Sequence, residues 1–345
     1  MRKAGILLAM LLLASSHRAW CTTIAWTSAH GPYNITADMN VASGDTLEVE
    51  AGTVVNGNGF RLRVSGVLRM LGTTSEPVRI DTWVIGAGPG ATEAAPFRIE
   101  MSHCRMVGGS LYYYSAGPGS ISVQDSALID LGPEIYLWYP VADCIFERNQ
   151  IINSRITCIL GTSGRAVRVF ITNNLFYSTR LLGPDTPLIQ NSGCYDGSEV
   201  LVRYNTFLNT NIPAVGLRPD RANAAMVATD NCWSTVDEWV IQSMVLDRDD
   251  DSSFARTIPY HPILAQPHPD TPLFYSRDID QDGDGLSGYD EFVTYGTDML
   301  KADTDSDGVR DADEVNVYHS DPKKADTDDD GMGDRWGDRP QPEPQ

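Results

Sequence analysis

Aspartates recur near the C-terminus at a spacing that suits a metal ion. Asp280, Asp282 and Asp284 alternate with single residues, a glycine follows directly, and Glu291 stands at the twelfth place counted from Asp280. Side chains at places one, three and five of such a loop can point at one centre, and the glycine at place six permits a sharp turn. A backbone carbonyl at place seven and a glutamate at place twelve complete a set of hard oxygen ligands. The loop therefore predicts a calcium site.

The same frame returns twice, each time after 23 residues. Loop one spans 280–291, loop two spans 303–314, and loop three begins at 326. A solvated acidic tail is the alternative interpretation, but it has no reason to keep a constant period. Loop one has Gly288 at place nine, where we expect water to ligate, and loop three has Gly337 at place twelve, so its site is weak or incomplete. The predicted metal ligands are Asp280, Asp282, Asp284, Leu286, Glu291, Asp303, Asp305, Asp307, Val309, Asp311, Glu314, Asp326, Asp328, Asp330, Met332 and Asp334.

The links between the loops indicate the type of module. Only 292–302 separate loop one from loop two, which is too short for a helix on each side of every loop. The links also repeat each other, since Tyr295-Gly-Thr-Asp and Tyr318-His-Ser-Asp both precede Lys-Ala-Asp-Thr-Asp. Residues 278–338 resemble the thrombospondin type 3 repeat in its bacterial form. The resemblance implies aspartate-rich wrapping around calcium with almost no hydrophobic core.

Charge is concentrated in the same segment. Residues 278–345 hold 21 of the 46 acidic residues but only 6 of the 26 basic ones. Without cations these carboxylates repel one another, and little apolar surface opposes the repulsion. We therefore expect the segment to be disordered when calcium is removed, so that binding energy is also folding energy. The net charge of −20 argues against nucleic acid as a partner.

The body of the chain, 24–265, alternates short β-rich runs with turn residues. A loose repeat places a polar turn residue two or three positions before a large apolar residue, which a coil of stacked parallel strands needs. In such a coil Asn174, Asn205 and Asn231 would stack as a ladder of amide hydrogen bonds. The segments that carry the repeat are 143–146, 173–176, 204–207 and 230–233, with 103–106 and 125–128 as earlier members.

This body resembles the secreted right-handed parallel β-helix proteins of pectate-lyase-like architecture, through its entry at 31–81 and its exit at 231–264. The resemblance implies an all-β fold with a capping helix near 236–246. A proline-containing linker is predicted for 266–277. The repeats at 278–338 follow as a tail of little regular structure, and a disordered C-terminus is predicted at 339–345.

The N-terminus reads as a secretory signal at 1–19, because Arg2 and Lys3 precede an apolar run at 6–14. Cleavage after Ser16 and cleavage after Ala19 both fit. No other long apolar run occurs, so no transmembrane segment is expected once the signal is removed. Export permits disulfides, yet the cysteine spacing matches no zinc pattern, and small buried residues are the favoured interpretation.

Catalytic signals in the body are weak. No lysine lies between Lys3 and Lys301, so a lyase would need an arginine as base, and the two acids of a hydrolase have no recognisable motif. The predicted function is a secreted or cell-surface calcium-binding β-helix protein without catalysis, in carbohydrate binding, adhesion or surface structure. The alternative is a polysaccharide lyase or glycoside hydrolase, and a third hypothesis is a module that docks onto a scaffold. The acids that could line one face of the coil are Asp125, Asp130, Asp143 and Glu147.

Aromatic residues are concentrated around Tyr112-Tyr113-Tyr114, with Tyr136, Trp138 and Tyr139 nearby. They could form a stacking platform for sugar rings, but packing on the coil is the favoured interpretation, because most aromatic side chains serve packing.

Overall fold

The body is a parallel β-solenoid built from three sheets, in a computed structural model. The residues described are 21–86, 95–114, 118–132, 134–160, 166–178, 186–194, 197–208, 212–219, 223–254, 256–272, 280, 282–288, 290–298, 301–328, 331 and 333–334. The predicted signal at 1–19 and C-terminus at 339–345 lie outside these residues, as do Asp330 and Met332 of loop three. Successive rungs of the solenoid contribute one strand to each sheet, except that the second sheet ends one strand early, and every strand pair in the described ranges is parallel. The predicted all-β solenoid is thus confirmed.

The first sheet has nine strands, and the second has eight. The strands of the first sheet are Thr23–Trp26, Thr46–Glu50, Val67–Leu71, Phe97–Ser102, Gly119–Gln124, Cys144–Glu147, Arg168–Thr172, Glu199–Arg203 and Met226–Val227. Those of the second are Tyr33–Asn34, Val54–Asn56, Val78–Ile80, Cys104–Val107, Ala127–Ile129, Gln150–Ile152, Leu175–Tyr177 and Thr206–Phe207.

The third sheet also has nine strands. They are Met39–Val41, Arg61–Val64, Trp83–Gly86, Ser110–Tyr113, Ile135–Trp138, Ile156–Leu160, Ile189–Cys194, Val215–Leu217 and Val245–Leu246. The described helices are all short: Ser28–His30, Glu238–Ser243, Asp290–Tyr295, Asp311–Asp313 and Glu314–Tyr318. No helix in the described ranges has the length and hydrophobicity needed to cross a bilayer.

Side chains of like type stack along the interior. Because successive strand residues point to opposite faces, the inward positions form columns parallel to the coil axis. On the second sheet one column runs through Leu128, Ile151 and Phe176, which are in register and fully buried. Aromatic rings continue it, since the Phe176 and Phe207 rings stack at 5.1 Å, as do those of Phe207 and Trp233. This apolar column holds successive rungs together.

The corner between the first and second sheets uses the left-handed backbone conformation at every rung from the fourth onward. A residue there must turn the chain sharply, which asparagine and aspartate tolerate best. The residues are His103, Asp125, Arg148, Asn173, Tyr204 and Asp230, with φ between 49° and 61°.

The residues after the last four of these form the amide ladder, which contains the predicted Asn174, Asn205 and Asn231 and also Asn149. Asn174 Oδ1 accepts from the backbone N–H and the side-chain amide of Asn149, at 2.9 and 3.0 Å. Asn205 Oδ1 accepts both groups of Asn174 at 2.9 Å, and Asn231 Oδ1 accepts those of Asn205 at 2.9 and 3.0 Å. All four are fully buried, so these bonds satisfy backbone donors that water cannot reach.

One predicted alignment is wrong. The sequence pattern places Asp143–Phe146 in the ladder rung, but Phe146 pairs with Ile171 in the first sheet. Asn149 takes the ladder position instead, because the rung that ends at Asn174 is 25 residues long. Stacking of Ile151 on Phe176 decides this register.

The C-terminal end of the coil carries a helix at Glu238–Ser243. The Asp237 side chain caps it by accepting from Trp239 N–H at 2.9 Å. Ile241 and Met244 are fully buried and belong to the core, and the chain then adds Val245–Leu246 as the last strand of the third sheet.

Candidate functional site

Loop one brings three carboxylates together. One oxygen from each of Asp280, Asp282 and Asp284 lies within 4.8 Å of the others. The loop is wound around Asp280, whose two oxygens accept from Gly283 N–H at 2.7 Å and Gly285 N–H at 3.0 Å. Both glycines have positive φ, 78° and 111°, a conformation that glycine adopts without steric cost.

Loop two repeats this geometry. Its first aspartate, Asp303, accepts from Ser306 N–H at 2.7 Å and Gly308 N–H at 3.0 Å. Ser306, at place four, has a φ of 70°, so the left-handed turn at this place does not depend on glycine. The loop-two carboxylates Asp303, Asp305 and Asp307 also offer oxygens within 4.8 Å of one another.

The place-seven residues anchor the loops. Leu286 and Val309 are each 5% exposed, and their N–H groups donate at 2.7 Å to the aspartates two positions earlier. Their buried apolar side chains leave the backbone as the only ligand they can offer, as the sequence predicts.

The glutamates at place twelve are buried among the aspartates. Glu291 and Glu314 are both 0% exposed. Neither carboxylate oxygen of Glu291 has a hydrogen-bond partner among the described residues. In Glu314, Oε1 accepts from the Ser320 hydroxyl, and Oε2 has no partner in the same ranges. Burial raises the pKa of each carboxyl to about 8, and the charges of Asp282 and Asp284 act on Glu291 in the same direction. Buried, unpaired anionic oxygens are costly, and a cation is the partner that such a set lacks.

Several aspartate oxygens in the loops show the same deficit. Oδ2 of Asp282, Asp305 and Asp307 is buried without a partner in the described part of the chain. Burial raises the pKa of Asp282 to about 6. These orphaned oxygens, with the glutamates, fit a divalent cation, and hard oxygen donors in this number favour Ca²⁺.

The place-nine aspartates have a structural role that the sequence did not reveal. Asp311 Oδ1 accepts from Thr304 N–H at 2.7 Å, and its Oδ2 accepts from the Thr304 hydroxyl at 2.6 Å. Asp334 binds Thr327 in the same way, at 2.8 and 2.6 Å. The recurrence of threonine at place two was the available signal. Both oxygens are engaged, so ligation by Asp311 or Asp334 would use their remaining lone pairs.

Loops one and two touch. Asp284 Oδ2 accepts from the backbone N–H of Ala312 at 3.0 Å, and the Asp284 charge also contributes to the raised pKa of Asp311, after burial. The two predicted sites are therefore adjacent, and the carboxylates of one repel those of the other.

Loop three is described in part. Gly331 N–H donates to Asp326 Oδ2 at 2.8 Å, the counterpart of the contacts in the other loops, and its φ is 90°. The two predicted ligands of this loop that lie outside the described residues, Asp330 and Met332, remain predictions.

The third sheet carries a row of aromatic side chains on its outer surface, which we call the aromatic face: Trp83, Tyr112, Tyr136 and Trp138. The rings of Trp83 and Tyr112 are 5.8 Å apart and nearly parallel, and Tyr112 and Tyr136 are also 5.8 Å apart. All four are half-buried. In contrast, the neighbouring Tyr113 is fully buried and donates to Gly119 O at 2.9 Å. The predicted tyrosine cluster thus divides between the core and the surface.

The acids predicted to line one face of the coil do not form a pair free for catalysis. Asp125 receives both Arg148 Nε at 2.7 Å and Nη2 at 2.9 Å. Glu147 lies 3.1 Å from the same guanidinium. Asp143 accepts from Arg168 N–H at 2.8 Å, and Asp130 accepts from the Asn153 amide at 3.1 Å.

The cysteines in the body are buried and free, and burial raises the pKa of Cys104 and Cys144 to about 12.

Family models, curated proteins and solved structures were compared with the chain, and none matches it.

Proposed function

We propose that this protein is secreted, that loops one and two bind Ca²⁺, and that its solenoid presents the aromatic face to an extracellular polysaccharide without cleaving it. The observation that carries the calcium proposal is Glu291, a fully buried carboxylate whose two oxygens have no partner among the described residues. A solvated acidic tail would not bury such a group.

The ligand set of loop one follows from its residues. Asp280, Asp282 and Asp284 would each supply one oxygen, Leu286 its carbonyl, and Glu291 two more. That makes about six oxygens, the lower end of the range that calcium takes. A bound Ca²⁺ would supply the positive charge that these converging carboxylates lack. Loop two offers the same set shifted by 23 residues.

Export would also suit calcium sites of this type. Extracellular calcium modules work with dissociation constants of roughly 10⁻⁴–10⁻³ M, and sites that weak would stay unfilled in a cytosol. The predicted signal at 1–19 agrees with secretion.

Titration calorimetry of the full chain tests the metal proposal. We expect uptake of about two Ca²⁺ at millimolar or lower concentration, and much weaker uptake of Mg²⁺, which demands tighter octahedral geometry. No heat of Ca²⁺ uptake at millimolar concentration would refute it.

The aromatic face supports polysaccharide binding. Rings in a row offer flat apolar surfaces on which sugar rings stack. The outward row continues from Tyr136 through the buried Thr157 to Gln190, two strands on, and the half-buried Gln190 amide can hydrogen-bond to sugar hydroxyl groups. Ion pairing of the coil acids with Arg148 favours binding over hydrolysis.

Affinity electrophoresis in gels of neutral and uronate polysaccharides tests this second part. Trp138→Ala should weaken binding by roughly 2- to 10-fold, the value of one stacked ring. Trp239→Ala is the matched control, because Trp239 is 84% exposed on the end helix. Release of shortened or unsaturated products would instead support the lyase or hydrolase alternative.

A further inference from the structure

The outer face of the second sheet is covered at its last rungs. Leu175, Ile152 and Thr206 alternate with inward-pointing residues, yet they are 0%, 2% and 1% exposed. On an earlier rung of the same face Val107 is 40% exposed. Ile152 and Leu175 form a small apolar cluster separate from the core, with Tyr177 packed against it. Something outside the coil therefore shields this end of the sheet.

The segment after the coil runs back along this face. Thr271 is 3% exposed, and its hydroxyl donates to Tyr204 O at 2.9 Å. The His268 ring packs on the Tyr204 ring at 4.8 Å. One rung earlier, Tyr177 Oη donates to Asp298 Oδ1 at 2.5 Å. The chain thus meets the rung of Tyr204 first and then that of Tyr177, with loop one between these two contacts.

Loop one reaches the coil at the same point. Burial is the main cause that raises the pKa of Tyr177, and the charges of Asp298 and Glu291 raise it further. The place-twelve glutamate therefore lies close enough to Tyr177 to act on it electrostatically. Residues 290–298, which begin at the end of loop one, therefore reach Tyr177, the side chain that packs against the apolar cluster.

Asp298 is held by both metal loops. On one side, the Glu291 carbonyl accepts from Gly296 N–H at 2.6 Å and from Thr297 N–H at 3.0 Å. On the other side, Asp298 N–H donates to the Thr304 hydroxyl at 2.8 Å. Thr304 is in turn bound to Asp311 in loop two. The position of the Asp298 carboxylate thus depends on the ordering of loops one and two.

We infer that the Tyr177–Asp298 contact couples calcium uptake in the tail to the stability of the coil. The inference rests on the proposed calcium sites. When the two loops are ordered, Asp298 is in place, segment 290–298 covers Leu175 and Ile152, and the last rungs of the second sheet are protected. When the loops lose order, the apolar cluster becomes exposed and those rungs open more often.

Hydrogen exchange on the full chain, with calcium and with chelator, tests the coupling. In the natural chain, calcium should slow exchange in Leu175–Tyr177 by about 10-fold or more, because a part-buried hydrogen bond to a charged group has to break for the segment to leave. In Tyr177→Phe the same ratio should fall below about 3-fold. Calorimetry should give the same number of bound calcium ions for this variant, with an affinity weakened by no more than the lost coupling, since coupling is reciprocal.

Tyr136→Phe is the matched control, since it removes the same hydroxyl from the third sheet, where no tail contact is described, and it should keep the full calcium effect. The inference is overturned if calcium binds but leaves exchange in Leu175–Tyr177 unchanged, or if Tyr177→Phe keeps the full protection. Absence of calcium uptake by the natural chain would overturn the proposed function and the inference together.

Discussion

Replacing Glu291 by glutamine tests the calcium site most directly. The carboxyl is fully buried and has no hydrogen-bond partner among the described residues. Its pKa is raised to about 8, mainly by burial. Glutamine keeps the size of the side chain but removes the charge and one of the two ligating oxygens. Without the cation, the buried charge of the glutamate costs free energy that a neutral glutamine avoids.

The expected loss can be estimated from the ligand set. Loop one offers about six protein oxygens, and Glu291→Gln leaves about five beside the water expected at place nine. An interaction with a charged group contributes about 1.5–3 kcal/mol, which corresponds to a roughly 10- to 100-fold weaker affinity. With calcium at about 100 times the natural dissociation constant, occupancy stabilises the tail by about 2.7 kcal/mol. A 100-fold weaker site would retain only about 0.4 kcal/mol.

Titration calorimetry measures the affinity, and scanning calorimetry with and without calcium measures the stabilisation. The control is Asp313→Asn, which removes one negative charge from an exposed position of loop two outside the predicted ligand set. It should leave the number of binding sites unchanged. If Glu291→Gln binds calcium as the natural chain does, Glu291 is not a ligand and the reasoning from its buried oxygens fails.

Two further predictions concern pH and the coil. Without calcium, the pKa values of Glu291 and Glu314 are about 8 in the folded tail, against an ordinary 4.5. The folded tail then binds more protons than the unfolded tail, so in chelator it should lose order as pH rises from about 5 to 8. Hydrogen exchange of 290–318 in chelator checks this, and an exchange pattern that does not change with pH, after correction for intrinsic exchange, would contradict it. Asn174→Ala should destabilise the coil by about 3–5 kcal/mol, because it removes the acceptor of the buried Asn149 N–H, one of the two acceptors of the Asn149 amide, and the donor to Phe146 O at 2.9 Å. Denaturant unfolding measures the loss, with the exposed Asn34→Ala as the control expected to cost less than about 1 kcal/mol; equal losses in the two variants would refute the importance of the ladder.

The clustering of carboxylates in loops one and two was predictable from the sequence because the geometry of such a loop is local. Twelve contiguous residues contain the aspartates, the glycine turn and the closing glutamate, and no distant contact is needed to bring Asp280 and Asp284 together. The corner residues of the coil were predictable only in part, since Asn173 and Asp230 suit the left-handed turn but Arg148 and Tyr204 occupy the same place in other rungs. The sequence did not reveal that the Asp311 carboxylate, predicted as a metal ligand, also accepts hydrogen bonds from Thr304.

Tertiary structure decided everything that depends on register. Rungs differ in length, so the sequence repeat placed Phe146 where Asn149 belongs, and only the stacking of Ile151 on Phe176 determines the alignment. The same register turns Tyr112 outward and Tyr113 inward, because adjacent strand residues point to opposite faces.

By itself the sequence determined a β-solenoid body and an oxygen-rich tail, since both arise from patterns that repeat within a few tens of residues. It contained no local signal that Asp298 would meet Tyr177, 121 positions away. That contact depends on where the chain leaves the last rung and on which outer face of the coil is apolar, and both are properties of the folded molecule.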